Sequence, residues 1–381
     1  MSPALISMDS NSAIRNCGTT AKDDKYLKGV KYVCEETGPL TRVPNKYVLP
    51  SSDRPNSSER NPHVVINKAN LDLPVIDFAE LRGPNRSNVL QSLSQACKDY
   101  GFFQLINHGI SEAIVREMKE ATRRFFELPY EERAKYMSSD VYTPVRYGTS
   151  FNQSKDKVFS WRDFLKITNP TSLPSTSSCW PSSPLDFRKA VLNYSNETKL
   201  LYVMIMEAIL ESLGLLDSEI PKEVMKEIEE GSQVMILNCY PTCPEPDLTL
   251  GMPPHSDYGM LTLLLQDEVK GLQIQHGGKW LTVEPSSPYS FVVNVGDHLE
   301  IFSNGKYKSV LHRVLVNSIS SRISIASLHS LPFHCTVRPS PELVNEDNPK
   351  RYKDTSFADF LHYISSCEPK SKNFLESRKL L

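Results

Sequence analysis

The sequence predicts an α+β fold: helices first, then a jelly-roll core of two β-sheets, then one closing helix. Three observations carry that reading. Up to Leu213, apolar residues recur at a spacing of about 3.6, which marks one face of a helix. After Gly231 the period drops to two, and short apolar runs repeat at regular intervals. "HGGK", His276 to Lys279, supplies a Gly-Gly turn between two of those runs.

Residues 1–42 are polar and read as a flexible tail. An N-terminal region is expected over 43–184. It opens with an extended surface segment through the Ser- and Pro-rich "LPSSDRPNSSERNP". "LPVIDF" is the first strand. Ser87 is expected to cap a helix with Val89, Leu90, Leu93, Ala96 and Cys97 inward, stopped by Gly101. "FFQLIN" follows as a buried strand. Ser111 caps a second helix that buries Ile114, Val115, Met118, Ala121 and Phe125 and ends before Pro129. Val141 to Pro184 reads as a long irregular stretch, which in a compact protein is often functional. Connecting helices fill 185–230. The β core spans 231–333, with strands at "VMILNCY", "LTLLLQ", "GLQIQ", "KWLTV", "SFVVNV", "SVLHRVLV" and "RISIASL". Residues 334–381 carry the closing helix "SFADFLHYISS".

Composition excludes several classes. With 381 residues, 39% hydrophobic and 23% charged, the chain is that of a soluble globular protein. Lys and Arg (43) nearly balance Asp and Glu (45), so neither a nucleic acid nor an anionic membrane is an expected partner. The most apolar stretch, Leu200 to Leu210, contains Glu207 and is too short to span a bilayer. No charged cap precedes an apolar core at the N-terminus, so the cytoplasm is the expected compartment. A plastid is the alternative, because the first residues are rich in Ser and Thr. The cysteines form no CxxC pair and read as reduced thiols; Cys239 and Cys243 read as buried ones. A monomer is expected.

The chemistry concentrates in the β core. In "PPHSDYGMLTLLLQD", His255 and Asp257 are two apart, and side chains at i and i+2 share one strand face. His312, in "SVLHRVLV", offers a third ligand from a later strand. Two imidazoles and a carboxylate on one face of an octahedron leave three positions open, the donor set of non-haem Fe(II) oxygenases. Catalytic zinc accepts such ligands too. Arg322 and Ser324 in "RISIAS" are again two apart; the guanidinium fork suits a carboxylate and the hydroxyl adds a donor. Tyr240, beside Asn238 in "NCYP", adds another. Neither HxD nor RxS specifies a site alone; the ordered set within one strand-rich stretch does. His108 reads as a hydrogen-bonded structural residue, His276 and His298 as turn and surface residues, and Asp297 as a turn stabiliser.

These residues give the chain a resemblance to the plant-type 2-oxoglutarate- and Fe(II)-dependent dioxygenases. "NCYPTCPEPDLTLG", "PPHSD", "VGD", "SNGKYKSVLHR" and "RISIAS" resemble that family's iron and 2-oxoglutarate segments, and "YGFFQLINHGI" its N-terminal motif. The likeness runs from about Val43 to the C-terminus. "TSFNQSKDKVFSWRDFLK" is most similar to the branch of downy-mildew-susceptibility and hyoscyamine hydroxylases. The resemblance implies a double-stranded β-helix (jelly-roll) core and iron ligands His255, Asp257 and His312. It implies 2-oxoglutarate held by Arg322, Ser324 and Tyr240 with Asn238 beside it. It also implies O2 as co-substrate and ascorbate as a stimulant.

The implied reaction hydroxylates or desaturates a small-molecule plant hormone or specialised metabolite as 2-oxoglutarate is decarboxylated to succinate and CO2. Tyr147, Phe151, Phe164, Phe302 and Leu328 are the expected pocket walls. Leu328 stands where flavonoid-modifying members carry an aromatic, and Ile236 where some carry a polar residue. Both departures point to a smaller or more apolar substrate. Two alternatives keep the fold: an oxidase that does not use 2-oxoglutarate, and a non-catalytic small-molecule binding module.

Overall fold

Runs of Val, Ile, Leu and Phe set the strands, and most of those strands are covered on both faces. The computed structural model describes residues 24–38, 40–55, 70–150, 153, 155–168, 179–215, 221–284, 286–366 and 373–380. In chain order the strands are β1 (Asn70–Leu71), β2 (Val75–Asp77), β3 (Phe102–Ile106), β4 (Val145–Thr149), β5 (Asp163–Thr168), β6 (Gln233–Tyr240) and β7 (Met252–His255). They continue with β8 (Leu261–Gln266), β9 (Leu272–His276), β10 (Lys279–Val283), β11 (Phe291–Val295), β12 (His312–Val314), β13 (Arg322–His329), and β14 (Thr336–Val337) with β15 (Thr355–Ser356), which pair apart as a two-stranded sheet. The larger sheet has the order β2-β3-β11-β8-β13-β6-β5-β4, and the smaller β1-β10-β9-β12-β7. Of their pairings, β1–β10 and β2–β3 are parallel.

The helices are α1 (Asp24–Leu27), α2 (Val30–Thr37), α3 (Arg86–Asp99), α4 (Glu112–Glu127), α5 (Tyr130–Ala134), α6 (Phe187–Ser212), α7 (Pro221–Glu229), α8 (Asp297–Phe302), α9 (Phe357–Ser366) and α10 (Asn373–Arg378). α4 and α6 lie against β13 and its neighbours, and α3 against β3. Alternation along β6 shows the consequence. Met235, Leu237 and Cys239 join the hydrophobic core under the helices, while Ile236, Asn238 and Tyr240 line a cavity between the sheets. Among the described residues no helix is long and apolar enough to cross a membrane.

Most expected elements appear, with instructive shifts. Ser111 caps α4 by accepting from Ile114 N at 3.4 Å. Ser87 does not cap α3, which starts two residues earlier, at Arg86, with Asn85 at the cap position and no side-chain cap. Gly101 ends that region at φ 63, where a Cβ would stand 2.1 Å from the Lys308 carbonyl oxygen. Gly277 and Gly278, at φ 57 and 75, form the expected hairpin turn between β9 and β10.

The stretch from Val141 to Pro184 departs most from expectation, because it contains β4 and β5. On β5, Asp163, Leu165 and Ile167 are buried on one side, while Phe164, Lys166 and Thr168 line the cavity on the other. Polar residues thus face an interior, and the pattern does not announce an amphipathic strand. Asp163 fastens the N-terminal region to the sheet. Its carboxylate accepts from Val30 N (2.8 Å) and Lys31 N (3.2 Å) at the start of α2, and from the Tyr147 hydroxyl at 2.7 Å. Asp163→Ala removes an N-terminal cap and a buried acceptor together, an expected loss of about 2–4 kcal/mol. Urea unfolding should show a lower midpoint at unchanged m-value; an unchanged midpoint would mean that α2 is held by packing alone.

Candidate metal centre and its cavity

β7 and β12 pair in a register that sets His255 opposite His312. Their ring centroids lie 4.1 Å apart. Asp257 is placed differently from the sequence expectation. It lies beyond the end of β7, in the turn leading to β8, so strand alternation does not aim it. The turn does, with help from three donors. Thr262 Oγ1 (2.6 Å) and Asn294 Nδ2 (2.9 Å) both donate to Oδ2, and Asp297 N donates to the Asp257 carbonyl at 2.7 Å. Oδ1 then lies 3.8 Å from His255 Nε2 and 3.7 Å from His312 Nε2. One ligand atom from each residue falls within a 4.8 Å group.

The tautomers follow from the second ring nitrogens. A carbonyl oxygen only accepts, so His255 Nδ1 donates to Pro253 O (2.9 Å) and His312 Nδ1 to Val310 O (3.2 Å). Each Nε2 is thereby left as a lone pair directed into the cluster. Burial, then the neighbouring His312, pushes the His255 pKa down to about 3. Burial alone would raise Asp257, but His312 and His255 outweigh it and hold the carboxyl below its ordinary value. A neutral imidazole and an ionised carboxylate are the states a divalent metal needs. Two imidazole nitrogens and one carboxylate with open positions fit Fe(II).

Asp297, expected only to steady a turn, opens α8 and ties the two ligand segments together. It accepts from Ser256 Oγ (3.2 Å), between His255 and Asp257, and from Ser309 Oγ (2.6 Å), shortly before His312.

Opposite the triad, β13 pairs with β6 so that Arg322 faces Tyr240 and Ser324 faces Asn238. Arg322 is buried. Its Nη2 donates to Gln266 Oε1 (2.9 Å) and its Nε to Val269 O (3.0 Å), while Nη1 has no partner. Asn238 Nδ2 donates to Ser324 Oγ at 3.4 Å. At Gly271 a Cβ would meet Arg322 Cδ at 3.0 Å, so the glycine leaves room for this side chain. A buried guanidinium with a spare donor and only uncharged acceptors is a carboxylate site in waiting.

The cavity between the triad and Arg322 holds about 350 Å³. Phe164, Leu328 and Ile236 line it as expected positions. Tyr147 does not: its ring is on the opposite face of β4, packed against Phe125 and Phe126 with its hydroxyl on Asp163. Phe302, on α8, packs into the main hydrophobic core instead. Phe151 lies outside the described residues. The sequence reading did not find the aromatic roof, in which Phe360 stacks on Tyr258 at 4.7 Å and Phe333 on Phe357 at 4.2 Å. The spacing of Phe357, Phe360, Leu361 and Ile364 on one face of α9 was the available signal. Nor did it find the cavity-facing cations of β4 and β5, hidden in the stretch read as irregular.

Three further histidines are structural. His108 Nε2 donates to Tyr289 O at 2.8 Å. His298 is not a surface residue: it is buried, its Nδ1 is 2.7 Å from Ser330 Oγ, and burial pushes its pKa down to about 3. His329 stacks on Tyr202 at 4.6 Å.

Comparison with known proteins agrees with this geometry. Residues 231–330 match the model of the 2OG-Fe(II) oxygenase superfamily. Residues 73–184 match that of the non-haem dioxygenase N-terminal region described from morphine synthesis. The chain is also 41% identical over 323 residues to Protein DMR6-LIKE OXYGENASE 2 of Arabidopsis thaliana, a match covering 84% of this chain and 89% of that one. It belongs to the 2OG-Fe(II) oxygenase superfamily. The oxygenase is 40% identical over 319 residues to Flavanone 3-dioxygenase 2 of Oryza sativa subsp. japonica, covering 84% and 89% of the two chains. The crystal structure of JOX2 in complex with 2OG, Fe, and JA shares its fold at a TM-score of 0.79 and 31% identity, over 92% of this chain and 97% of that one. The jelly-roll core is therefore the family's, and the enzyme is an Fe(II)- and 2-oxoglutarate-dependent dioxygenase.

The groups behind the triad should matter measurably. Thr262→Val and Asn294→Ala are each expected to weaken Fe(II) binding about 10–100-fold, and His312→Ala to abolish it, in anaerobic equilibrium dialysis. Wild-type affinity in both outer variants would mean that the turn alone aims Asp257.

Proposed function

We propose that His255, Asp257 and His312 hold the Fe(II) of this oxygenase, and that Arg322, with Ser324 and Tyr240, holds the far carboxylate of 2-oxoglutarate with Asn238 beside it. The observation that carries the reading is the buried Arg322 with its unpartnered Nη1, opening on the same cavity as the triad. Bound iron, with 2-oxoglutarate and O2, supplies the oxidising power that the side chains lack. The chain's own residues orient and exclude. Arg322 fixes one end of the co-substrate. Asp297 and its two serines keep the ligand segments in register. The roof of Phe333, Phe357 and Phe360 keeps bulk water from the reacting C–H bond.

The substrate is a small plant hormone or specialised metabolite, hydroxylated or desaturated as succinate and CO2 are released. Relatives named for flavanone and for jasmonate induction support that range. Ile236 and Leu328 make the wall beside Asn238 apolar, which favours a substrate other than a flavonoid. We read the enzyme as a cytoplasmic monomer.

The test is anaerobic loading with Fe(II) and then 2-oxoglutarate. A weak visible charge-transfer band is expected in the wild type and a much weaker one in Arg322→Ala, with succinate released when substrate and O2 follow. Iron-loaded wild type without a band would hand the site to a different co-substrate.

A further inference from the structure

β4 and β5 bring three cations to the cavity wall. Arg146 and Lys166 are register partners across the two strands, and Arg162 immediately precedes β5. Arg146 and Arg162 are each only 3% exposed. Their guanidinium carbons lie 5.1 and 4.9 Å from the centroid of one ring, Phe164. All three residues and Phe164 line the cavity that holds the triad.

The acceptors these cations reach are uncharged. Arg146 Nε donates to Ser138 O (2.8 Å) and Lys166 Nζ to Val141 O (2.6 Å). Arg162 Nη2 donates to Ser150 O (2.9 Å), and its Nη1 contacts Asn238 Oδ1 (3.1 Å) and Met252 Sδ (2.9 Å). Arg146 Nη2 and Arg162 Nε are buried without a partner. Asp140, Asp156 and, for Arg162, Asp163 act on the group from beyond ion-pair distance, Asp163 being bonded to α2, and Arg162 also reaches the Tyr240 hydroxyl. Burial, then Arg162, pushes the Arg146 pKa down to about 10; burial, then Arg146, pushes Lys166 down to about 8. The cations therefore repel one another, and among the described residues no carboxylate is in ion-pair contact with any of them.

Unpaired buried charge is costly to keep, so an anion belongs here. The 2-oxoglutarate dianion and Asp257 together cancel the charges of Fe(II) and Arg322; Arg162 reaches Asn238 and Tyr240 beside that site, whereas Arg146 and Lys166 touch none of the residues proposed to hold the co-substrate. We propose that Arg146, Arg162 and Lys166 form an anion clamp that selects a substrate bearing a carboxylate, with its apolar body lying against Phe164, Ile236 and Leu328. This inference rests on the oxygenase site proposed above. It assigns the specificity-determining end of the cavity to β4 and β5, and the substrate class to small carboxylic acids with an apolar ring or chain.

The test uses the Fe(II)- and 2-oxoglutarate-loaded protein under anaerobic conditions. Dissociation constants are measured for benzoate, indole-3-acetate and cyclohexylacetate, each beside its methyl ester. At least one acid should bind ten times more tightly than its ester. Arg146→Gln and Lys166→Met should each weaken that acid by roughly tenfold or more, the scale of a lost charge-assisted hydrogen bond, while the ester is unaffected and the charge-transfer band persists. Ligand-free Lys166→Met should unfold at the wild-type temperature or above it, since it removes an uncompensated charge. Acids that bind no better than their esters, or a preference that survives in both variants, would overturn the clamp. A lower Tm with the preference kept would assign Lys166 a purely structural role. A missing charge-transfer band in the wild type would be a failure of the oxygenase site itself.

Discussion

The antiparallel register of β7 against β12 is the constraint on which the centre depends. It sets two imidazoles from distant parts of the chain opposite each other at the end of the smaller sheet. A slip of one residue would turn one ring out of the cluster, because strand side chains alternate. Several other features hold that register or use it. Asp297 bridges a serine on each ligand segment. The two backbone carbonyls fix the imidazole tautomers. Thr262 and Asn294, from β8 and β11 of the larger sheet, aim the carboxylate, so the second sheet completes a site that the first begins.

The larger sheet has two interiors. One face is sealed by α3, α4 and α6 with ordinary apolar packing, and the other encloses a largely apolar cavity into which charged side chains are set. This division explains why neighbouring residues have opposite fates. Asp163 and Tyr147 face the helices, where they anchor α2. Arg162, Phe164 and Lys166 face the cavity. The strand that carries the proposed specificity residues thus also carries the anchor of the N-terminal region. Substitutions along it should be judged by which face they occupy.

Charge is distributed along the cavity with similar economy. Arg322, Arg146 and Arg162 are buried and Lys166 is half-buried, and the acceptors they reach are neutral. Such groups destabilise an empty fold unless something charged arrives. In the proposed reading, the stability given up in the empty state is the free energy that an anionic ligand recovers on binding.

Much of this was legible in the sequence. The change of period at Gly231, the Gly-Gly hairpin, and the ordered set His255, Asp257, His312, Arg322 and Ser324 are local patterns with local physical causes: side-chain alternation, turn stereochemistry and ligand chemistry. Phe164 and Leu328 are cavity walls as expected, and Ile236, singled out through the family resemblance, lines the cavity with them. Tyr147 and Phe302 could not be placed, because the choice between cavity and core is made by which neighbour covers each face. β4 and β5 escaped notice because their polar residues point inward, where periodicity reads as noise. Asp257 was found, but the alternation assumed to aim it is absent; a turn and two side chains from other strands do that work. Residue types and their order were thus settled by the sequence itself. Which face each residue occupies, and so which charges meet without partners in one cavity, was decided only when the two sheets closed on each other.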